Sequence, residues 1–140
     1  MSTILLSHFA ATWSMVGVIW FVQLVHYPLL QRVGQESFVQ YELDNTRRTT
    51  WVVAPLMLVE LATAVFLAIR PPTDELAAVA WLGAGAVAAI WLSTALVQVP
   101  LHRRLSHRFD KVDARRLVAT NWFRTCAWTG RGVLAAYLVA

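Results

Sequence analysis

Cysteine is nearly absent from this chain of 140 residues, and charge is scarce, with 14% Asp, Glu, Lys and Arg. The lone cysteine, Cys126, excludes an intramolecular disulfide and any multi-cysteine metal site. It falls inside an apolar run, where a small thiol packs as an apolar side chain. A soluble domain carries roughly a quarter of its residues as charges. Against that, 58% hydrophobic residues and a mean hydropathy of +0.54 exclude an ordinary soluble domain. A P-loop, a Rossmann glycine fingerprint, a His-Glu-x-x-His run and a nucleophile elbow are also missing. No metal-ligand set is read from the sequence, and no cofactor is specified by it.

What is present is length in apolar runs. A hydrocarbon core of ~30 Å needs about 20 helical residues, and four windows reach that length, at approximately residues 3–30, 49–69, 76–99 and 117–140. They use most of the chain, so one all-α domain over residues 1–140 is expected: a polytopic membrane four-helix bundle of two hairpins. The first window has no positively charged flank and runs too long for a signal-peptide core, so it is read as a retained helix. Pro71-Pro72 ends the second helix and enforces a tight turn. Thr73 is then the expected cap of the third helix, with Asp74 and Glu75 in its first turn.

The sequence pI of about 10.0 comes from where the cations lie. Arg32, Arg47 and Arg48 fall between helices one and two. Arg103, Arg104, Arg108, Lys111, Arg115 and Arg116 fall between helices three and four, and Arg70 alone lies at the other end. By the positive-inside rule, segments 31–48 and 101–116 are cytoplasmic and both termini are non-cytoplasmic in a cell membrane. Anionic lipid headgroups, not nucleic acid, are the expected partners of these cations. Val33, Phe38, Tyr41 and Leu43, like Leu105, Phe109, Val112 and Leu117, alternate with charges, which predicts short amphipathic helices on the membrane surface.

The third helix is rich in small residues, Ala80, Gly83, Ala84, Gly85, Ala88 and Ala89, which let helices approach closely in lipid. They suit tight packing in the bundle or a homodimer seam. A faint internal duplication is visible as well. Gln23, Pro28, Phe38 and Arg47-Arg48 have counterparts in Gln98, Pro100, Phe109 and Arg115-Arg116, implying two parallel repeats around a shared site.

The last apolar window holds two arginines where a membrane helix should have none. An arginine near the bilayer centre costs at least ~2.5–3.5 kcal/mol, so it needs a partner or a purpose. Asn121, Arg124, Trp128 and Arg131 recur at steps of three, four and three, on one helix face. By the ~1.5 Å rise per residue, Glu60 lies roughly 16 Å from the cytoplasmic end of its helix, with Arg124 about 10 Å and Arg131 about 20 Å from theirs. Glu60 is therefore expected to pair with an arginine, and Arg131 is the better placed. One glutamate cannot neutralise two guanidiniums, so an inward-facing Arg124 calls for a small anion, whereas an Arg124 that snorkels calls for none.

Other polar residues collect in the same half. Gln23 and His26 share a face of helix one beside Tyr27, Gln98 flanks Pro100, and Asn121 lies early on helix four. Pro28 and Pro100 each remove an N–H near a helix end and free carbonyls for a polar pocket. The ligand-binding set is thus Gln23, Gln98, Asn121, Arg124, Trp128 and Arg131, with Trp128 able to stack on guanidinium or on a flat ligand. His26 and Glu60 are the candidate acid–base groups, His26 the better base because an arginine-paired carboxylate is a poor one. His102 and His107 are read as solvated residues of a basic loop. Trp51, Trp81 and Trp122 fall near helix ends, as in an aromatic belt.

The run Asn121-Trp122-Phe123-Arg124 through Trp128 and Arg131, with the length and four-helix layout, resembles the anthrone-oxygenase-like family of small membrane proteins. The Gln-x-x-His-Tyr-Pro run at Gln23 to Pro28 also resembles small bacterial membrane proteins, for which the resemblance implies no activity. The oxygenase resemblance implies oxygenation of an electron-rich polycyclic phenol without an obvious metal or flavin. In that chemistry His26 or Glu60 would remove a proton, and Arg124 and Arg131 would stabilise the resulting enolate or phenolate. The alternatives are a non-catalytic binder or transporter of an amphipathic anion, a structural subunit, and haem binding through His26 and His102.

Overall fold

The computed structural model describes residues 2–140, and among them every regular element is helical. Four rods account for the chain: α1 (Thr3–Leu30), α2 (Gln35–Ile69), α3 (Asp74–Leu105) and α4 (Lys111–Val139). Helix α1 packs on α2 and α4, and α3 packs on the same two helices, which closes a four-helix bundle.

Three rods, α1, α2 and α3, are long and apolar enough to cross a membrane. The fourth is not apolar enough, although a spanning window was expected there. The reason lies in its arginine-bearing face: Asn121, Arg124, Thr125, Trp128 and Arg131 are all buried against the other three helices. The bundle is correspondingly apolar outside and holds its buried polar residues within an otherwise apolar core. Trp51 is 79% exposed, Leu96 70% and Ile69 67%, while Thr12, Glu42, Asn121 and Thr125 are 0% exposed. So large an apolar surface is unfavourable in water, at roughly 25 cal/mol per Å². It is the surface of a membrane protein, in which helices associate through packing and interhelical hydrogen bonds.

The helices run further than the apolar windows suggest. Helix α2 begins at Gln35 instead of residue 49, α3 ends at Leu105 instead of 99, and α4 begins at Lys111 instead of 117. Segments 31–48 and 101–116 are therefore mostly helix, and within them only residues 31–34 and 106–110 lie between rods. Nothing in residues 35–48 breaks a helix, and the 35 residues of α2 measure about 52 Å, far more than the ~30 Å a bilayer core needs. Separate surface helices do not form. Phe38, Leu105 and Leu117 instead make a core with Tyr27, Leu30, Leu101 and Ala114, and the Phe38 and Phe109 rings meet edge-on at 4.7 Å. Tyr41, Leu43 and Val112 stay exposed.

Local chemistry sets the ends. The Asp110 side chain accepts from the Val112 and Asp113 amides at 2.8 and 2.9 Å, capping α4. Those backbone hydrogen bonds hold its carboxyl below the ordinary aspartate range. Thr73 occupies the position before α3 without a side-chain cap; α3 starts as a 3₁₀ turn, Asp74–Leu76. Of the small residues on α3, Ala80 and Gly83 face inward while Gly85 and Ala88 face outward.

Helices α1 and α3 share an irregularity. Each contains one π turn, Val22–His26 and Thr94–Gln98, ending two residues before Pro28 and Pro100 respectively. In each, the closing amide bonds five residues back, Tyr27 to Val22 and Val99 to Thr94. A proline deprives the preceding turn of a donor, and a π turn relocates the neighbouring hydrogen bond while bulging the helix. Each half of the chain thus runs as a helix with a π turn before proline, followed by a long helix.

Candidate functional site

Two polar constructions lie inside the bundle, and they are differently satisfied. The first is centred on Glu60 of α2. Arg131 Nε donates to Glu60 Oε1 at 2.9 Å, and Trp128 Nε1 donates to Oε2 at 3.0 Å. Arg131 also donates to the Gly83 carbonyl and, at 3.4 Å, to the Thr12 hydroxyl, so the guanidinium holds four helices together. A Cβ at Gly83 would lie 3.5 Å from Arg131 Nη1, an ordinary van der Waals contact. His8, near the opposite end, is buried and bonded to Thr63 Oγ1 at 2.9 Å. Every charge here has its partner, and none of these residues lines the cavity described next.

The second construction surrounds a cavity of about 460 Å³ between α1, α2 and α3, with Arg124 contributed by α4. The π turns supply Val22, His26, Thr94 and Gln98 to its wall, and α2 supplies Asn45, Thr46, Thr49 and Thr50. Met15, Ile19, Met57 and Val53 make the rest largely apolar. A shallower cleft of about 360 Å³ between α1 and α2 shares Val18, Val22, His26, Thr49 and Val53 with the cavity. That cleft is flanked by the outward-facing Phe21 and Val52, so the cavity wall continues onto the lipid-facing surface.

Arg124 is 7% exposed and faces inward; it does not snorkel. Its Nη1 donates to Asn121 Oδ1 at 3.2 Å, and its Cζ lies 5.1 Å from the Trp128 ring centroid, a cation–π contact. Among the described residues, no carboxylate pairs with it. Its Nε is buried without a hydrogen-bond partner. The same holds for His26 Nε2, Trp91 Nε1 and Gln98 Oε1, and all four residues line the cavity. Buried polar atoms are rarely left unpaired, because each costs about 1–3 kcal/mol. Four around one cavity make a recognition surface of two N–H donors, a carbonyl acceptor and an imidazole nitrogen.

Of the residues chosen from sequence, the structure brings His26, Gln98 and Arg124 to the cavity. Gln23, Asn121, Trp128, Arg131 and Glu60 lie outside its wall. Gln23 and Asn121 act one layer back: Asn121 Nδ2 donates to Gln23 Oε1 at 2.8 Å, and Gln23 Nε2 to the Val118 carbonyl at 3.3 Å. That chain orients Arg124. Trp128 is enclosed between Arg124 and Glu60, so it stacks on a guanidinium and presents no face to a ligand.

His102 and Glu42 were not assigned to the site from sequence. His102 is no solvated loop residue; it sits on α3 with a 20% exposed side chain. Its Nδ1 bonds to Glu42 Oε1, and its Nε2 lies 3.0 Å from the Tyr27 hydroxyl. Glu42 is fully buried and also accepts from Asn45 Nδ2 at 3.1 Å. One signal for Glu42 was available. It precedes Glu60 by 18 residues, five helical turns, and so shares its face once α2 is extended back to residue 35. Glu42 also changes the charge count, because the interior holds two carboxylates for two guanidiniums. With both its ring nitrogens engaged, His102 offers no free nitrogen to a haem iron.

No family model, curated protein or solved structure matches this chain.

Proposed function

We propose that this multi-pass membrane protein binds a small amphipathic weak acid, aromatic or otherwise flat, as its anion in the cavity, with Arg124 as counter-charge. The observation that carries this reading is the set of four unpartnered buried polar atoms on the wall of one otherwise apolar cavity. A ligand with an apolar body and one ionisable oxygen satisfies Arg124 Nε and Trp91 Nε1 and fills the rest by apolar contact. The lipid-facing cleft between α1 and α2 supports access from the bilayer.

The bundle sits in the cell membrane as two hairpins, with the ends bearing Arg47, Arg48, Arg103, Arg104, Arg115 and Arg116 in the cytoplasm and both termini outside. The cavity then lies in the cytoplasmic half. Oxygenation of a polycyclic phenol, the chemistry implied by the family resemblance, would begin from the same bound anion. Binding is the part that the cavity supports directly, and His26 with its free Nε2 is the group nearest to a base for any further step.

The test compares 4-nitrophenol with 4-nitroanisole, its methyl ether, on protein in lipid nanodiscs, with empty nanodiscs subtracted for partitioning. Saturable binding that favours the phenol over the ether by tenfold or more, and loses that preference in Arg124→Met, is the expected result. Equal binding of the two probes, or a preference that survives Arg124→Met, refutes the reading.

A further inference from the structure

On the weak-acid reading, charge balance decides whether the cavity takes the anion alone or the anion together with a proton. With His102 taken as unprotonated without ligand, two carboxylates, Glu42 and Glu60, face two guanidiniums, Arg124 and Arg131, and the interior is uncharged. An anion added alone would leave one uncompensated negative charge in a low-dielectric interior, where such a charge costs several kcal/mol. An anion plus one proton leaves the interior uncharged.

We infer that His102 is the acceptor of that proton, reached through the Tyr27 hydroxyl and oriented by Glu42, an inference that rests on the weak-acid reading above. The three groups form an unbroken line: Tyr27 Oη lies 3.0 Å from His102 Nε2, and His102 Nδ1 bonds to Glu42. Glu42 as carboxylate keeps the hydrogen on Nδ1, so that Nε2 of the neutral ring is the acceptor that faces Tyr27. Tyr27 and Arg124 line the same cavity, so the phenol hydroxyl and the counter-charge face one ligand.

The step balances as follows. The ligand O–H bond breaks and its proton passes to Tyr27 Oη as the Tyr27 O–H proton passes to His102 Nε2. The ligand oxygen keeps its electron pair beside Arg124. Tyr27 is regenerated, and the imidazolium is held against Glu42. Groups facing His102 from the packed helices are Glu42 and Asn45 on α2, His26 and Tyr27 on α1, and Arg124 on α4, with Arg103 on its own helix. Tyr27 and His102 touch the ligand or its proton, while Glu42 is a positioning residue.

4-Nitrophenol reports both halves of the step, because its phenolate absorbs at longer wavelength than the phenol, and a pH-indicator dye in weak buffer reads proton release. At a pH below the probe's own pKa, the wild-type protein should bind it as phenolate with no proton released. Tyr27→Phe and His102→Gln should each keep saturable binding and lose the phenolate band, whereas Glu42→Gln, which leaves one guanidinium in excess, should keep the band and release one proton per probe. A variant that fails to fold leaves the other two to decide. The relay is overturned if wild-type protein binds the probe as phenol, if wild-type protein forms phenolate with one proton released per probe, or if the folded variants retain the band without proton release. Absence of saturable binding to the wild type refutes the weak-acid reading itself, and the relay with it.

Discussion

Replacing Arg131 by methionine strips Glu60 of its cation inside the bundle. The same replacement at Arg124, on the same face of the same helix, removes a guanidinium that no carboxylate contacts. At residue 131 the loss includes the 2.9 Å bond to Glu60, the Gly83 carbonyl contact and the Thr12 bond, and it leaves a buried carboxylate uncompensated. Breaking one side of a buried pair costs about 3–5 kcal/mol. At residue 124 the loss is one hydrogen bond to Asn121 and the stack on Trp128. These are worth about 1 kcal/mol and about 0.5–2 kcal/mol. Against them stands relief from burying a guanidinium that no carboxylate contacts, while a proton taken up by His102 against Glu42 restores the charge balance. The expected outcome is that Arg131→Met loses about 3–5 kcal/mol of stability while Arg124→Met stays within about 1 kcal/mol of wild type or gains. Unfolding of the purified protein by SDS titration from mixed micelles, followed by tryptophan fluorescence, measures both. Equal destabilisation by the two variants would show that Arg124 is held by the fold in the way Arg131 is, and would remove the reason to treat it as part of a site.

Two further outcomes follow from other parts of the structure. Gly17 lines the cleft between α1 and α2, and a Cβ there meets nothing within 4 Å. Gly17→Phe should therefore slow 4-nitrophenol association several-fold by stopped flow without lowering thermal stability, and an unchanged association rate would show that the ligand reaches the cavity by another route. Asp110, held below its ordinary pKa by the Val112 and Asp113 amides, contributes stability that is complete above that ordinary value. That contribution is lost as pH falls through the lower folded-state value. Asp110→Asn keeps an accepting oxygen and should flatten this acid-side dependence of helix content by circular dichroism; a dependence unchanged in the variant would assign it to other carboxylates.

How much of this was legible in the sequence depends on which physical signal each feature leaves. The rods announce themselves by apolar length. Helical rise placed Glu60 in depth between the two arginines, within reach of either, and the bundle pairs it with Arg131. The ends of α2 and α4 were less legible, since charges interleaved with Phe38 and Leu117 read equally well as a surface helix or as the continuation of a long one. Tertiary packing decided for the latter, as Phe38, Leu105 and Leu117 found one another. That misreading hid Glu42, and with it the partner of His102, because a residue placed in a loop has no helix face to share. Trp91 carried no site signal in the sequence. Its unpaired N–H is a property of the cavity and leaves no trace in sequence spacing.

The two π turns explain why the cavity lies where it does. A regular four-helix bundle fills its core with interdigitated side chains, and keeping a hole open requires a local reason. Here Pro28 and Pro100 each remove a donor, the preceding turn widens into a π turn, and the bulges bring His26 and Gln98 to the same wall. The first half of the chain contributes Tyr27 and His26 and the second contributes His102 and Gln98. The long helices that follow contribute Glu42 and Arg124 respectively. Under the proposed reading, proton acceptor and counter-charge thus come from different elements, a separation that would let an acid be split between them. Arg131 and Glu60, joined directly, could neutralise each other but could never do this. Two arginines on one stripe therefore have opposite settings: the one bonded to a carboxylate ties four helices together, and the one that no carboxylate contacts lies on the cavity wall.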